Sequence, residues 1–149
     1  MQKRHTVVPT VHLFIEKDGK TLLQRRMNTG WQDGMYCPVA GHVEQGETIR
    51  QAGKREAKEE AGIKIDIEDL DVIHVMHRKG NDYERLDFFL IAKKWHGEPA
   101  IIEPDKCDEL CWFLKDKLPS NMIPYIKKAF ECIEQGIIYS EYDWEDSPH

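Results

Sequence analysis

Residues 41–63 read GHVEQGETIRQAGKREAKEEAGI, and this stretch decides how the chain folds and where its chemistry lies. Thr48 followed by Gln51 has the form of a capping box, Gly62 supplies a helix stop, and Ala52, Ala57 and Ala61 favour helix between them. The spacing predicts one helix over Thr48–Ala61. At about 100° per residue, Glu56, Glu59 and Glu60 fall within an arc of roughly 100°, so three carboxylates share one face. Like charges at that spacing repel and raise one another's pKa. Arg55 and Lys58 offset part of the charge. A hard divalent cation with oxygen ligands, Mg²⁺ or Mn²⁺, would offset the whole face and bridge to phosphate oxygens. For E-x-x-E-E taken alone, a solvated acidic helix face is the alternative.

The same stretch fits the pattern G-x5-E-x7-R-E-U-x-E-E-x-G-U, with U aliphatic, at every fixed position: Gly41, Glu47, Arg55, Glu56, Ala57, Glu59, Glu60, Gly62 and Ile63. Through these residues the chain resembles the Nudix hydrolases, enzymes that cleave diphosphate linkages in nucleotide-like substrates with a divalent metal. The resemblance implies an α/β fold, the Nudix α/β/α sandwich with a mixed β-sheet. It also implies that Glu56, Glu59 and Glu60 hold the metal, joined by the backbone carbonyl of Ala40, and that Glu47 pairs with Arg55 to tie loop to helix. Gly41 stands where the loop before the helix must turn tightly, and Gly41 and Gly46 let backbone groups approach a ligand. One departure is Pro38-Val39-Ala40-Gly41, where many members have Pro-Gly-Gly; it leaves the acids untouched but removes a guide to substrate subfamily.

Outside this box, Gly97-Glu98-Pro99 followed by Glu103 resembles the corresponding stretch of MutT-type members, the nucleoside triphosphate pyrophosphohydrolases. The resemblance makes Glu103 a carboxylate that reaches the site from a loop, as metal ligand or base, and places Asn121 near a base-reading asparagine. Glu56 and Glu103 are the alternatives for the general base. Arg25 and Arg26 end a strand, where one of two adjacent side chains must face the site; either is a candidate to clamp a phosphate, with a surface arginine as the alternative. Trp31 lies in a loop rich in Gly, Asn and Asp and is a candidate to stack on a base, as is Tyr36; core packing is the other fate of such aromatics. The expected substrate is a nucleoside triphosphate, cleaved to monophosphate and pyrophosphate, with ADP-ribose or a nucleotide sugar as the alternative. A non-catalytic nucleotide-binding module is the third reading.

Hydrophobic patterning places strands at Val7–Ile15 and Thr21–Arg26 around an Asp18-Gly19 hairpin turn, at Met35–Val39, and at Leu70–His77, Leu86–Lys94 and Leu110–Leu114. Asn121–Gln135 reads as an amphipathic closing helix, and Ser140–His149 as a polar, aromatic-bearing tail. The 149 residues suit a single domain, 1–149. The net charge of −6 argues against a broad surface for a nucleic-acid polymer. Val7–Ile15 is too short and interrupted for a signal peptide, nothing is long enough to span a membrane, and Cys37, Cys107, Cys111 and Cys132 follow no zinc or redox spacing. The expectation is a cytoplasmic protein with free thiols that acts on a small nucleotide, as a possible homodimer.

Overall fold

The computed structural model describes residues 3–144. Strands β1 (Val8–Lys17) and β2 (Lys20–Arg26) form the first hairpin. Its turn holds Asp18 at φ 54° and Gly19 at φ 74°, the left-handed pair that Asp-Gly favours. Pro38 divides the next extended segment into β3 (Tyr36–Cys37) and β4 (Val39–His42). Helix α1 (Ile49–Ala61) follows, then β5 (Asp71–Lys79), β6 (Glu84–Ala92), β7 (Cys107–Leu114), helix α2 (Pro124–Glu134) and β8 (Tyr139–Tyr142).

The sheet runs β3-β2-β1-β6-β5-β8, with β4 on β1 and β7 on β2. It is mixed: β1 is parallel to β6 and β5 to β8, while the other pairings are antiparallel. Alternation along the central strands gives each face its own core. Leu13, Ile15, Leu22 and Leu90 pack with Ala52, Ala57 and Ala61 of α1, whereas Phe14, Leu23 and Phe89 pack with Ile126, Ala129 and Phe130 of α2. One helix on each face makes the α/β/α sandwich that the sequence implied. α1 sits close because Gly53 has no side chain; a Cβ there would stand 3.1 Å from Leu13 Cδ2.

The C-terminal segment differs from its reading as a tail. Tyr139–Tyr142 pairs in parallel with β5 through Val75–Arg78, and buried His74 secures the turn before it, its Nδ1 2.8 Å from the Ile137 carbonyl and its Nε2 2.8 Å from Ser140 Oγ. The last five positions of that reading, 145–149, lie outside the described residues.

A buried polar cluster fixes the centre of the sheet. Asp87, fully buried, accepts from Arg78 Nε at 2.7 Å and Nη2 at 3.2 Å, and from Thr10 Oγ1, with His12 Nε2 at 3.3 Å. Burial alone would raise the Asp87 pKa, but His12 and Arg78 hold it well below the usual carboxylate range. Removing one partner of such a pair leaves the other charge uncompensated in the protein. Asp87→Ala is therefore expected to destabilise the fold by about 3–5 kcal/mol, read by urea denaturation. A loss under about 1 kcal/mol would show that Arg78 finds water or another partner at little cost.

Candidate active site

The helix that carries the acids is fixed at both ends by its own sequence. Thr48 accepts from the Gln51 amide at 3.1 Å while the Gln51 side chain accepts from the Thr48 amide at 2.8 Å. Gly62 closes the other end at φ 68°, and its N–H donates to the Lys58 carbonyl at 3.1 Å. Between these stops the three acids take different environments. Glu56 is buried, at 8% exposure, against β4. Glu60 stands one turn on, closely surrounded but open to a cleft. Glu59 turns outward, with its side chain 54% exposed.

Glu60 Oε1 accepts from Gln24 Nε2 at 2.7 Å and from the Ala40 N–H at 3.1 Å. A strand residue points its N–H and C=O to the same side, so the Ala40 carbonyl also faces away from β1 toward the acids. Glu56 and Glu60 are neighbours at i and i+4 on α1, close enough for each charge to act on the other. Burial, with Glu59 adding to it, raises the Glu56 carboxyl against the opposing pull of Arg55. Burial, reinforced by Glu56, pushes Glu60 up to about 8 despite the donors Gln24 and Ala40.

Arg55 organises the rest, and all five of its donors are used. Nε and Nη2 grip Glu47 at 3.1 and 2.7 Å, Nη2 also reaches the His42 carbonyl at 2.9 Å, and Nη1 reaches Glu56 at 2.6 Å and Glu59 at 3.2 Å. Gly41, expected at a tight turn, lies instead within the extended strand β4. Its need for glycine is spatial: a Cβ would stand 2.2 Å from Glu56 Oε1. Gly46, at φ 88° with nothing within 4 Å, is the position where backbone conformation requires glycine.

The donor set suits a hard divalent cation. Among the described residues no three acidic, imidazole or thiol side chains are already gathered at metal-binding positions. Yet the acids and the Ala40 carbonyl offer oxygen ligands, and burial raises the pKa of both Glu56 and Glu60, which leaves a place for a cation to compensate their charge. Glu103, on the loop before β7, lines the same cleft of about 310 Å³ as Glu60, together with Gln24, Arg26 and Cys107. Its carboxylate is 3.6 Å from Lys106 Nζ.

The two arginines separate as strand alternation requires. Arg26 lines the cleft. Arg25 points to the other face, held by Asp108 at 2.8 Å and Glu109 at 3.3 Å, away from the acids. Arg26 Nε donates to the Trp31 carbonyl at 2.8 Å, and its guanidinium lies 5.0 Å from the Trp31 ring. Trp31 in turn walls a second cavity of about 440 Å³, with Arg78, Arg85, Tyr125 and Tyr142. Asn121 does not line it; its side chain donates to the Gly34 carbonyl at 2.9 Å and anchors the loop that carries Trp31. Tyr36 is buried within β3, edge-on to Phe113.

Sequence reasoning passed over Gln24, although its alternation with Arg26 places both on one face of β2. Loss of an outer partner of a metal-holding carboxylate costs about 10–100-fold in metal affinity. Gln24→Leu should therefore weaken Mn²⁺ binding by about that factor in calorimetric titration, and unchanged affinity would make the 2.7 Å contact incidental.

Residues 3–132 match the family model described as the NUDIX domain. The NAD-capped RNA hydrolase NudC of Escherichia coli O1:K1 / APEC is 31% identical over 113 residues, which are 76% of this chain and 41% of NudC. The chain thus spans about two fifths of the length of the curated relatives it matches. The crystal structure of a MutT NUDIX hydrolase from Burkholderia pseudomallei superposes with a TM-score of 0.78 at 26% identity, over 85% of this chain and 98% of that one. An ADP compounds hydrolase superposes at 0.70 with 18% identity, over 89% of this chain and 74% of that one, a likeness of fold alone.

Proposed function

Because this chain belongs to the Nudix hydrolase family, we propose that its described acids form a metal-dependent centre for hydrolysis of a diphosphate linkage, within a single domain spanning 1–149. The observation that carries the reading is Glu60, held by Gln24 at 2.7 Å and lining a cleft shared with Glu103 and Arg26, with Glu56 one turn earlier on α1. Glu56, Glu59, Glu60 and the Ala40 carbonyl would hold Mg²⁺ or Mn²⁺, with Glu103 within the same cleft. When bound, the ion neutralises phosphate charge and acidifies the attacking water. Glu103 is the better placed of the two candidate bases, since Glu56 is engaged by Arg55 at 2.6 Å. The water oxygen attacks phosphorus, its proton passes to a carboxylate, and the anhydride P–O bond breaks to release a phosphate-bearing product. Arg26 binds a phosphate oxygen, and the Arg26–Trp31 contact directs the nucleoside into the aromatic cavity.

A nucleoside triphosphate is the first substrate class, supported by the likeness to a MutT protein at 26% identity. A nucleoside diphosphate joined to a second group, such as ADP-ribose or a nucleotide sugar, is favoured in turn by the likeness to a hydrolase of NAD-capped RNA. Product analysis separates them. Pyrophosphate with a nucleoside monophosphate supports the first class, and two monophosphates support the second. Tight nucleotide binding with no product from either class would contradict the hydrolytic reading.

A further inference from the structure

At the opposite end of the β1–β2 hairpin from Arg26, Lys17, Lys93, Lys94, Trp95, Gly97 and Glu98 line a concave surface of about 510 Å³. Parallel pairing of β1 with β6, Ile15 opposite Ala92, brings Lys17 beside Lys93 and Lys94, and the hairpin adds Lys20 opposite Lys17. All four lysines are exposed, and among the described residues none of them forms an ion pair. The acids nearby are fewer: Asp18 and Glu98 are exposed, and Glu16 is taken by Lys115 at 3.2 Å. Trp95 keeps part of its surface and is backed by Trp112, with ring centroids 5.9 Å apart and planes 22° apart. A half-buried tryptophan among four lysines that outnumber the neighbouring acids is unusual for a chain of net charge −6.

We propose that this surface binds single-stranded nucleic acid, with a base stacked on Trp95 and backbone phosphates on Lys17, Lys93 and Lys94. Stacking on an aromatic side chain with lysines along the backbone is the general chemistry of single-strand binding. Net charge is a sum over the whole surface, whereas a strand responds to the charge within about a Debye length, roughly 10 Å. The surface goes beyond the hydrolytic site, yet Gly97 and Glu103 belong to one segment and stand at most about 22 Å apart by its extended length. A strand on the lysines is therefore within reach of the cleft.

The test is fluorescence anisotropy of a labelled 12-nucleotide oligouridylate at low salt, which requires no turnover. Combined Lys17→Ala, Lys93→Ala and Lys94→Ala should weaken binding about 10-fold or more and reduce the magnitude of the log–log salt slope by about 2. Trp95→Ala should weaken it about 5-fold or more, and Trp95→Phe, which preserves packing on Trp112, should recover most of the loss. Hydrolysis of a small nucleotide should be unchanged by the lysine substitutions. Absence of oligonucleotide binding at low salt, unchanged affinity in the triple variant, or equal binding of phosphatidylserine vesicles would each overturn the proposal.

Discussion

Glu60→Gln should reduce turnover by about 10³-fold or more while leaving the fold intact. The amide keeps the shape of the carboxylate, and its oxygen still accepts from Gln24 and Ala40, so packing gives no reason for collapse. What disappears is the negative charge that a cation would need. The substitution also has a signature in stability. In the folded protein Glu60 is raised to about 8 from an ordinary 4.5, so between those values the folded chain holds more protons than the unfolded one. Stability from this group is complete below pH 4.5 and is lost as pH rises through about 8. Without divalent metal, wild-type stability should fall from pH 5 to pH 9, and Glu60→Gln should flatten that decline, as measured by denaturant titration in chelator. Near wild-type turnover in the variant would remove Glu60 from the centre.

Gly41→Ala should cost about 10²-fold in kcat/KM, through displacement of a neighbour. The new methyl would stand 2.2 Å from Glu56 Oε1, closer than non-bonded atoms tolerate, and the contacted group is a buried carboxylate already held by Arg55. Glu56 must swing aside, and its partnership with Glu60 goes with it. Because Gly41 lies in extended backbone, alanine brings no conformational strain there, so circular dichroism should be nearly unchanged. A fully active, folded Gly41→Ala enzyme would show that Glu56 moves without consequence.

Helix α1 was readable to within a residue because capping is local chemistry: Thr48, Gln51 and Gly62 act on their own backbone. The acids were readable as a group but not as individuals. Helical periodicity places three carboxylates on one side, yet β4 covers Glu56 while Glu59 remains in solvent, and that depends on how a distant strand crosses the helix. The choice between Arg25 and Arg26 likewise depended on the pairing of β2 with β7, whose register shifts between these two residues. β8 escaped notice because four residues, two of them polar, gain order only from pairing with β5. The aromatic cavity joins Trp31, Arg78, Tyr125 and Tyr142 from four separate segments, a juxtaposition that no spacing in the sequence displays.

The most direct test of the central claim is a ³¹P NMR time course on a nucleoside triphosphate and ADP-ribose, run with Mg²⁺, with Mn²⁺ and with excess chelator, for wild type and Glu60→Gln. The account predicts loss of an anhydride phosphorus signal with metal and wild-type protein, halted by chelator and nearly absent in the variant. Cleavage that persists in chelator, or proceeds equally in Glu60→Gln, would contradict a metal-dependent centre built on these carboxylates.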